Sequence, residues 1–256
     1  MVWVGGWRPL CHTVHVSQGC WEISLKVALL ADVHGNADAL AAVLAAARRE
    51  NVRRLLVAGD LVGYYRHPGL VLELLDEWSW AAVRGNHEER LAARLAAGDW
   101  DDERQKYGSG LEVAGQLPEQ DLQRLLALEH PLRLDIDGRA VLLCHGAPWS
   151  VDEYVYPDAV AEVRDRMARW AAQCDLLVHG HTHYANVWRE DRLLIVNPGS
   201  VGQPRDRRPG ASWALWDTRE HTVVLRREPY DNERIRAESR RNDPHLPYLW
   251  EVLVRQ

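Results

Sequence analysis

Histidine, aspartate and asparagine recur in this chain where they could hold a divalent cation. They fall at Asp32-x-His34, Asp60, the pair Asn86–His87, His145, and the alternating imidazoles His179, His181 and His183 within VHGHTHYAN. Imidazole nitrogens with carboxylate and amide oxygens, and no thiolate, form a borderline donor set. Manganese, iron, zinc, cobalt or nickel suits such a set better than the all-oxygen shell of calcium or magnesium. Each fragment also has a plain reading: Asp-x-His as a turn, Gly-Asp as a helix cap, His145 as a buried and satisfied ring. What unites them is position. Every one follows directly on an apolar run, beside Gly35, Gly59, Gly85, Gly146 or Gly180.

Those runs are the elements that must position the donors. LKVALLA (25–31) has strand length and leads into an Ala/Leu-rich helix at 37–50. VRRLLVAGD is a second strand, followed by a helix with Pro68 near its start. WAAVRGNHEERLAARLAAG reads as strand, turn and helix, with Gly98 placed to end it. Such alternation favours parallel βαβ units. Residues 101–115 are highly charged and show no clear period, and LPEQDLQRLLAL is helical. After Pro131 the pattern changes: LRLDID-GR-AVLLCHG is a hairpin. A helix at 158–173 leads to the strand DLLVHG, and two further hairpins occupy 185–200 and 212–228. Units of βαβ first and hairpins later predict an α/β fold of two mixed β-sheets packed face to face with flanking helices. Carboxyl ends of neighbouring strands lie close together in space, so donors distant in sequence meet on one rim.

Composition narrows the function classes. The chain has 256 residues and a formal charge of −6, enough for a sizeable core without disulfide staples. The acidic balance gives no general pull toward nucleic acid or anionic membrane. No apolar run approaches the roughly 20 residues that span a bilayer. Cys11, Cys20, Cys144 and Cys174 form no CxxC pair, which suits a reducing cytoplasm. Twelve Trp and no Phe carry no functional reading; core and rim packing accounts for most of them. Residues 1–24 lack the basic and apolar regions of a signal peptide. Cys11, His12, His15 and Cys20 match no common zinc spacing there. We expect a poorly ordered extension at 1–24 and a single domain over 25–256.

The blocks DVHGN, GDLVG, RGNHE, HG at His145 and GHTH, taken in this order, resemble the calcineurin-like metallophosphoesterases. GDLVGYYRHP and NPGSVGQPR further resemble the small bacterial and archaeal phosphodiesterase branch. The resemblance implies a four-layer α/β/β/α sandwich and two divalent metal ions, manganese first among the candidates. Residue by residue, one ion would take Asp32, His34, Asp60 and His183. The other would take Asp60, Asn86, His145 and His181, with Asp60 shared. His87 would bind no metal and would face the scissile phosphate as the catalytic histidine. His179 stands where relatives carry an apolar strand residue, and reads as packing rather than as a tuner of a ligand.

A shared carboxylate holds two ions about 3.5–4 Å apart, the separation used in phosphoryl displacement by a metal-bridging hydroxide. Two dications, two aspartates and one hydroxide leave about one positive charge, and the neutral Asn86 preserves it. A small phosphodiester monoanion is the expected substrate, with a small phosphomonoester as the alternative. Tyr64, Arg66, His67 and Arg205 are candidate substrate contacts. Gly63 and Tyr64 replace the Asp and Arg that protein serine/threonine phosphatases carry, which disfavours a phosphoprotein substrate. The rival readings are a dinucleoside polyphosphate hydrolase, a non-catalytic scaffold that would be expected to have lost ligands, and a nuclease, for which the short run Arg205–Arg208 is a poor groove.

Overall fold

The computed structural model describes residues 25–256, so the expectation for 1–24 lies outside the described residues. The first three strands, β1 (Lys26–Leu30), β2 (Arg54–Val57) and β3 (Ser79–Ala82), pair in parallel. They are separated by α1 (Ala37–Arg49) and α2 (Pro68–Asp76), and β3 runs into α3 (Asn86–Ala97). Asn36 caps α1 by accepting from the Ala39 amide at 3.1 Å. Pro68 occupies the first turn of α2, and Gly98, at φ 69°, closes α3.

The stretch 101–115 resolves into two short helices, α4 (Asp101–Tyr107) and α5 (Gly110–Ala114), broken at Gly108; α6 (Glu119–Leu126) follows. Then come β4 (Leu132–Ile136), β5 (Arg139–Leu143), α7 (Ala161–Trp170), β6 (Leu176–Val178), β7 (Asn186–Glu190) and β8 (Leu193–Asn197). The last hairpin, β9 (Ala211–Asp217) and β10 (Thr222–Glu228), does not extend this second sheet. It returns to the first, pairing antiparallel with β1, so that the sheet orders are β10-β9-β1-β2-β3 and β4-β5-β6-β8-β7. Both sheets are mixed, as expected. The chain closes with α8 (Glu233–Asn242) and α9 (Tyr248–Glu251), two helices that the hydrophobic pattern does not announce.

Strand alternation explains the layering. Val27 and Leu29 of β1 point toward Val141, Leu143, Leu176 and Val178 of the second sheet, while Ala28 and Leu30 point toward Leu40, Val43 and Leu44 of α1. Leu142, Leu177 and Ile195 cover Met167 and Ala171 on the opposite side of the second sheet. The result is helices, sheet, sheet, helices. Strands buried on both faces read as continuous apolar runs, which is why the sequence shows few alternating ones. Trp213 and Trp216 are fully buried on opposite faces of β9, in keeping with Trp as core filler. No described helix is long and apolar enough to cross a membrane.

Candidate metal centre

The carboxyl ends of β1, β2, β3, β5 and β6 deliver Asp32 and His34, Asp60, Asn86 and His87, His145, and His181 and His183 to one place. All eight side chains are buried, from 0 to 5% exposed. Asp32, His34, Asp60, His181 and His183 adopt left-handed backbone, with φ between 52° and 69°. Non-glycine residues there cost about 1–3 kcal/mol each, and persist where surrounding structure over-determines them. The turns have been bent to aim these side chains inward.

The donor atoms form two adjoining groups. In the first, His34 Nε2 lies 3.0 Å from His183 Nε2 and 3.9 Å from Asp32 Oδ1, and His183 Nε2 lies 3.6 Å from the same oxygen. In the second, Asn86 Oδ1 lies 3.0 Å from His145 Nε2 and 3.1 Å from His181 Nδ1. Asp60 Oδ2 falls between them, 3.7 Å from His34 Nε2 and 3.3 Å from His145 Nε2. Its other oxygen accepts from the His87 amide at 2.9 Å, in the first turn of α3, where orphan N–H groups favour a carboxylate.

The hydrogen bonds behind the rings test whether a cation fits. His34 Nδ1 donates to Val62 O (3.2 Å), His183 Nδ1 to Gln203 O (2.5 Å), and His145 Nδ1 to Ala58 O (2.7 Å). On the neutral rings of His34 and His183 this bond fixes the tautomer and leaves a bare Nε2 lone pair facing inward. Two such lone pairs 3.0 Å apart repel, and neither can bond the other; a cation between them converts the conflict into coordination. His181 contributes Nδ1, and its Nε2 has no partner. The donor set therefore fits divalent metal.

Titration follows the same logic. Burial holds His34 and His183 well below the ordinary imidazole value and lowers His181 to about 3, so these rings are neutral and ready to coordinate. Burial alone would also lower His145, but the Asp60 carboxylate outweighs it and raises that ring to about 10. Asp60 is correspondingly held low: burial pushes it up, and its neighbouring imidazoles, the charged and hydrogen-bonded His145 first, more than reverse this. With no cation bound, a proton on His145 answers the Asp60 charge. Burial also lowers His87 to about 4, which leaves it neutral near pH 7. Its Nδ1 is buried without a partner.

Glu88 supports the centre and went unread in the sequence. Its carboxylate accepts from the amides of Asp60 (3.0 Å), Leu61 (2.8 Å), Val62 (3.2 Å) and Gly85 (2.8 Å), clamping the β2 turn to the start of α3. The signal was available: an acidic residue three positions after an N-cap is a capping pattern. Gly63, at φ 138°, is also required, because a Cβ there would lie 2.5 Å from His87 Nδ1 and 2.7 Å from His34 Nδ1.

A small cleft of about 40 Å³ opens onto the donors and is lined by Tyr64, His87, Arg90, Tyr107, Tyr154 and Arg205. Two of the four candidate substrate contacts, Tyr64 and Arg205, are there. Arg205 Nη2 donates to Tyr64 OH (3.0 Å) and Gln203 Oε1 (3.2 Å), neither of them an anion, and its Nε has no partner. Arg66 and His67 are elsewhere, which corrects the expectation for both. Beyond Gly63 the chain turns away: Arg66 donates to Ser109, and His67 meets Glu238 of α8 at 2.6 Å. Their place is taken by Arg90, one helical turn after His87 on α3, and by Tyr107 of α4, whose ring lies 4.0 Å from the Arg90 guanidinium. The i, i+3 spacing from His87 could have found Arg90. Tyr107 and Tyr154 had no such signal. His179 is fully buried, stacks on Trp188 with ring centroids 6.2 Å apart, and has no partner for either nitrogen.

Two facing mixed sheets with buried nitrogen and oxygen donors at their strand ends define a metallophosphoesterase fold. Residues 25–221 match the calcineurin-like phosphoesterase superfamily domain, and the chain belongs to that family. An uncharacterized protein of Methanocaldococcus jannaschii is 29% identical over 228 residues, covering 82% of this chain and 89% of that protein. A metallophosphoesterase from Sphaerobacter thermophilus is 30% identical with a TM-score of 0.71, over 86% of this chain and 94% of that one. A hypothetical protein from Pyrococcus horikoshii shares the fold, with a TM-score of 0.78 at 21% identity, over 90% and 98% of the two chains.

Proposed function

We propose that this protein is a two-metal phosphoesterase that hydrolyses small phosphodiesters. The observation that carries the reading is the position of Asp60 Oδ2 between the His34 and His145 groups, 3.7 Å from His34 Nε2 and 3.3 Å from His145 Nε2. One cation would be held by Asp32, His34, Asp60 and His183, and the second by Asp60, Asn86, His145 and His181. Bound there, the cations would supply Lewis acidity toward the phosphoryl oxygens and lower the pKa of water.

The remaining work falls to the chain itself. Arg205 has no anionic partner of its own, so its guanidinium is available to a non-bridging phosphate oxygen. Burial keeps His87 neutral, which suits it to donate an N–H toward charge developing at phosphorus or the leaving oxygen. Gly63 leaves room for that ring, and Tyr64 packs against it with centroids 4.8 Å apart. Asn86 adds an oxygen without a charge, which keeps the pocket positive enough for a monoanion. That all eight positions are kept and brought together argues against a non-catalytic scaffold.

A second reading is favoured by one feature. Arg90 lines the cleft beside Arg205 and, although Glu103 lies 3.7 Å away, its Nη1 has no hydrogen-bond partner, which gives anion capacity beyond a single phosphate, as a dinucleoside polyphosphate would use. An activity panel tests both. The full chain is reconstituted with manganese, iron, zinc, cobalt or nickel and offered an alkyl aryl diester, an aryl monoester and diadenosine polyphosphates. Diester turnover that vanishes with chelator supports the proposal. Turnover restricted to monoesters overturns the diester preference, and selectivity for the dinucleotides promotes the second reading.

A further inference from the structure

Outside the donor cluster, one wall of the cleft continues into a row of tyrosines that the proposed chemistry does not use. Tyr154 lines the cleft and packs on His181 with ring centroids 4.1 Å apart. Tyr156 stacks on Tyr154 at 5.8 Å with planes 16° apart, and meets Tyr184 edge to face at 5.7 Å. Tyr184 follows His183 directly, so both ends of the row are tied to the metal centre by different loops. Between the first two, Val155 is 1% exposed and locked into the cluster beneath the second sheet. The alternation holds both flanking rings outward on a fixed base. Tyr154 is 54% exposed and Tyr156 41%.

A single exposed tyrosine needs no explanation. Here three from two loops pack on one another, the outer two, Tyr154 and Tyr156, are exposed to solvent, and the row begins at the wall of an anion pocket. Flat aromatic faces beside a cationic phosphate site are the means by which nucleobases are held without sequence readout. We infer that Tyr154 and Tyr156 form a stacking subsite for a planar heterocycle carried by the substrate, which makes the substrate class a nucleotide ester and not an aliphatic diester. The inference rests on the phosphoesterase reading and deepens it. A row of this kind could also seat a protein loop, and the test separates the two.

The full chain, without added metal, is titrated calorimetrically with AMP and with ribose 5-phosphate, which differ only in the base. AMP should bind at least about tenfold more tightly, the effect of one stacked base. Tyr156→Ala should shrink that gap to under about threefold, and Tyr156→Phe should keep it. With manganese, thymidine 5′-(p-nitrophenyl) phosphate should exceed methyl p-nitrophenyl phosphate in kcat/KM, and Tyr156→Ala should reduce that ratio by a similar factor. The two esters release the same leaving group, so the ratio reads only the nucleoside side. Equal affinity for AMP and ribose 5-phosphate, or a gap untouched by Tyr156→Ala, overturns the subsite and leaves a protein partner as the use of this face. Hydrolysis of the methyl ester would then still uphold the phosphoesterase reading; failure of both esters with every metal overturns that reading instead.

Discussion

Replacing His179 with leucine should make the protein more stable, and increasingly so in acid. The ring is fully buried against Trp188, and neither nitrogen has a partner. Leaving such groups unsatisfied costs about 1–3 kcal/mol. Leucine is close in volume and has nothing to satisfy, so His179→Leu should gain about that amount at pH 7. Burial, aided by the charge on His145, lowers the His179 pKa from 6.5 to about 3. The folded-state value lies below the unfolded one, so between those limits the unfolded chain binds the extra proton. The contribution is intact above pH 6.5 and is lost as pH falls toward 3. At pH 4.5, two units into that window, the loss is about 2.7 kcal/mol. Urea unfolding at pH 7 and pH 4.5 should therefore show the variant's advantage growing by about that much. A variant less stable by more than about 1 kcal/mol at pH 7, or parallel pH dependences, would refute the reasoning. A fall in bound metal would instead make His179 a tuner of its neighbours and not a packing residue.

Other substitutions probe the centre itself. Asp60→Asn should lower metal content at both proposed positions, measured by elemental analysis of the purified chain, because Asp60 Oδ2 lies between the two donor groups. His87→Ala should keep its metal and lose about 10²–10⁴ in kcat for the diester; an undiminished rate would remove His87 from the proposed role. Glu88→Gln turns one of two acceptor oxygens into a donor facing backbone N–H groups, so urea unfolding should show a loss of about 2–4 kcal/mol with weaker metal retention. Arg205→Ala should raise KM for the diester by about tenfold or more, the loss of one charged hydrogen bond; an unchanged KM would free Arg205 from substrate binding.

The candidate metal ligands are legible because each follows an apolar run at a strand's carboxyl end, where βαβ geometry fixes what converges. Arg66 and His67 were misread because the path beyond Gly63 is decided by its positive φ and by contacts with α5 and α8, far off in sequence. Helix α8 itself buries only Ile235 and Ser239, too little for an apolar stripe to read. The return of β9 to β1 pairs Leu29 with Ala214, a long-range choice made by Trp213 and Trp216 filling opposite faces. Residues 101–115 break at Gly108, whose positive φ splits one charged stretch into two helices. Tyr107 reached the cleft from there, unannounced by any periodicity.

The central claim, that Asp60 joins two neighbouring cations, is tested most directly by anomalous diffraction from manganese-loaded crystals at the metal edge. The account predicts two peaks about 3.5–4 Å apart, one on each side of the Asp60 carboxylate. A single peak, or metal bound away from Asp60, would contradict it.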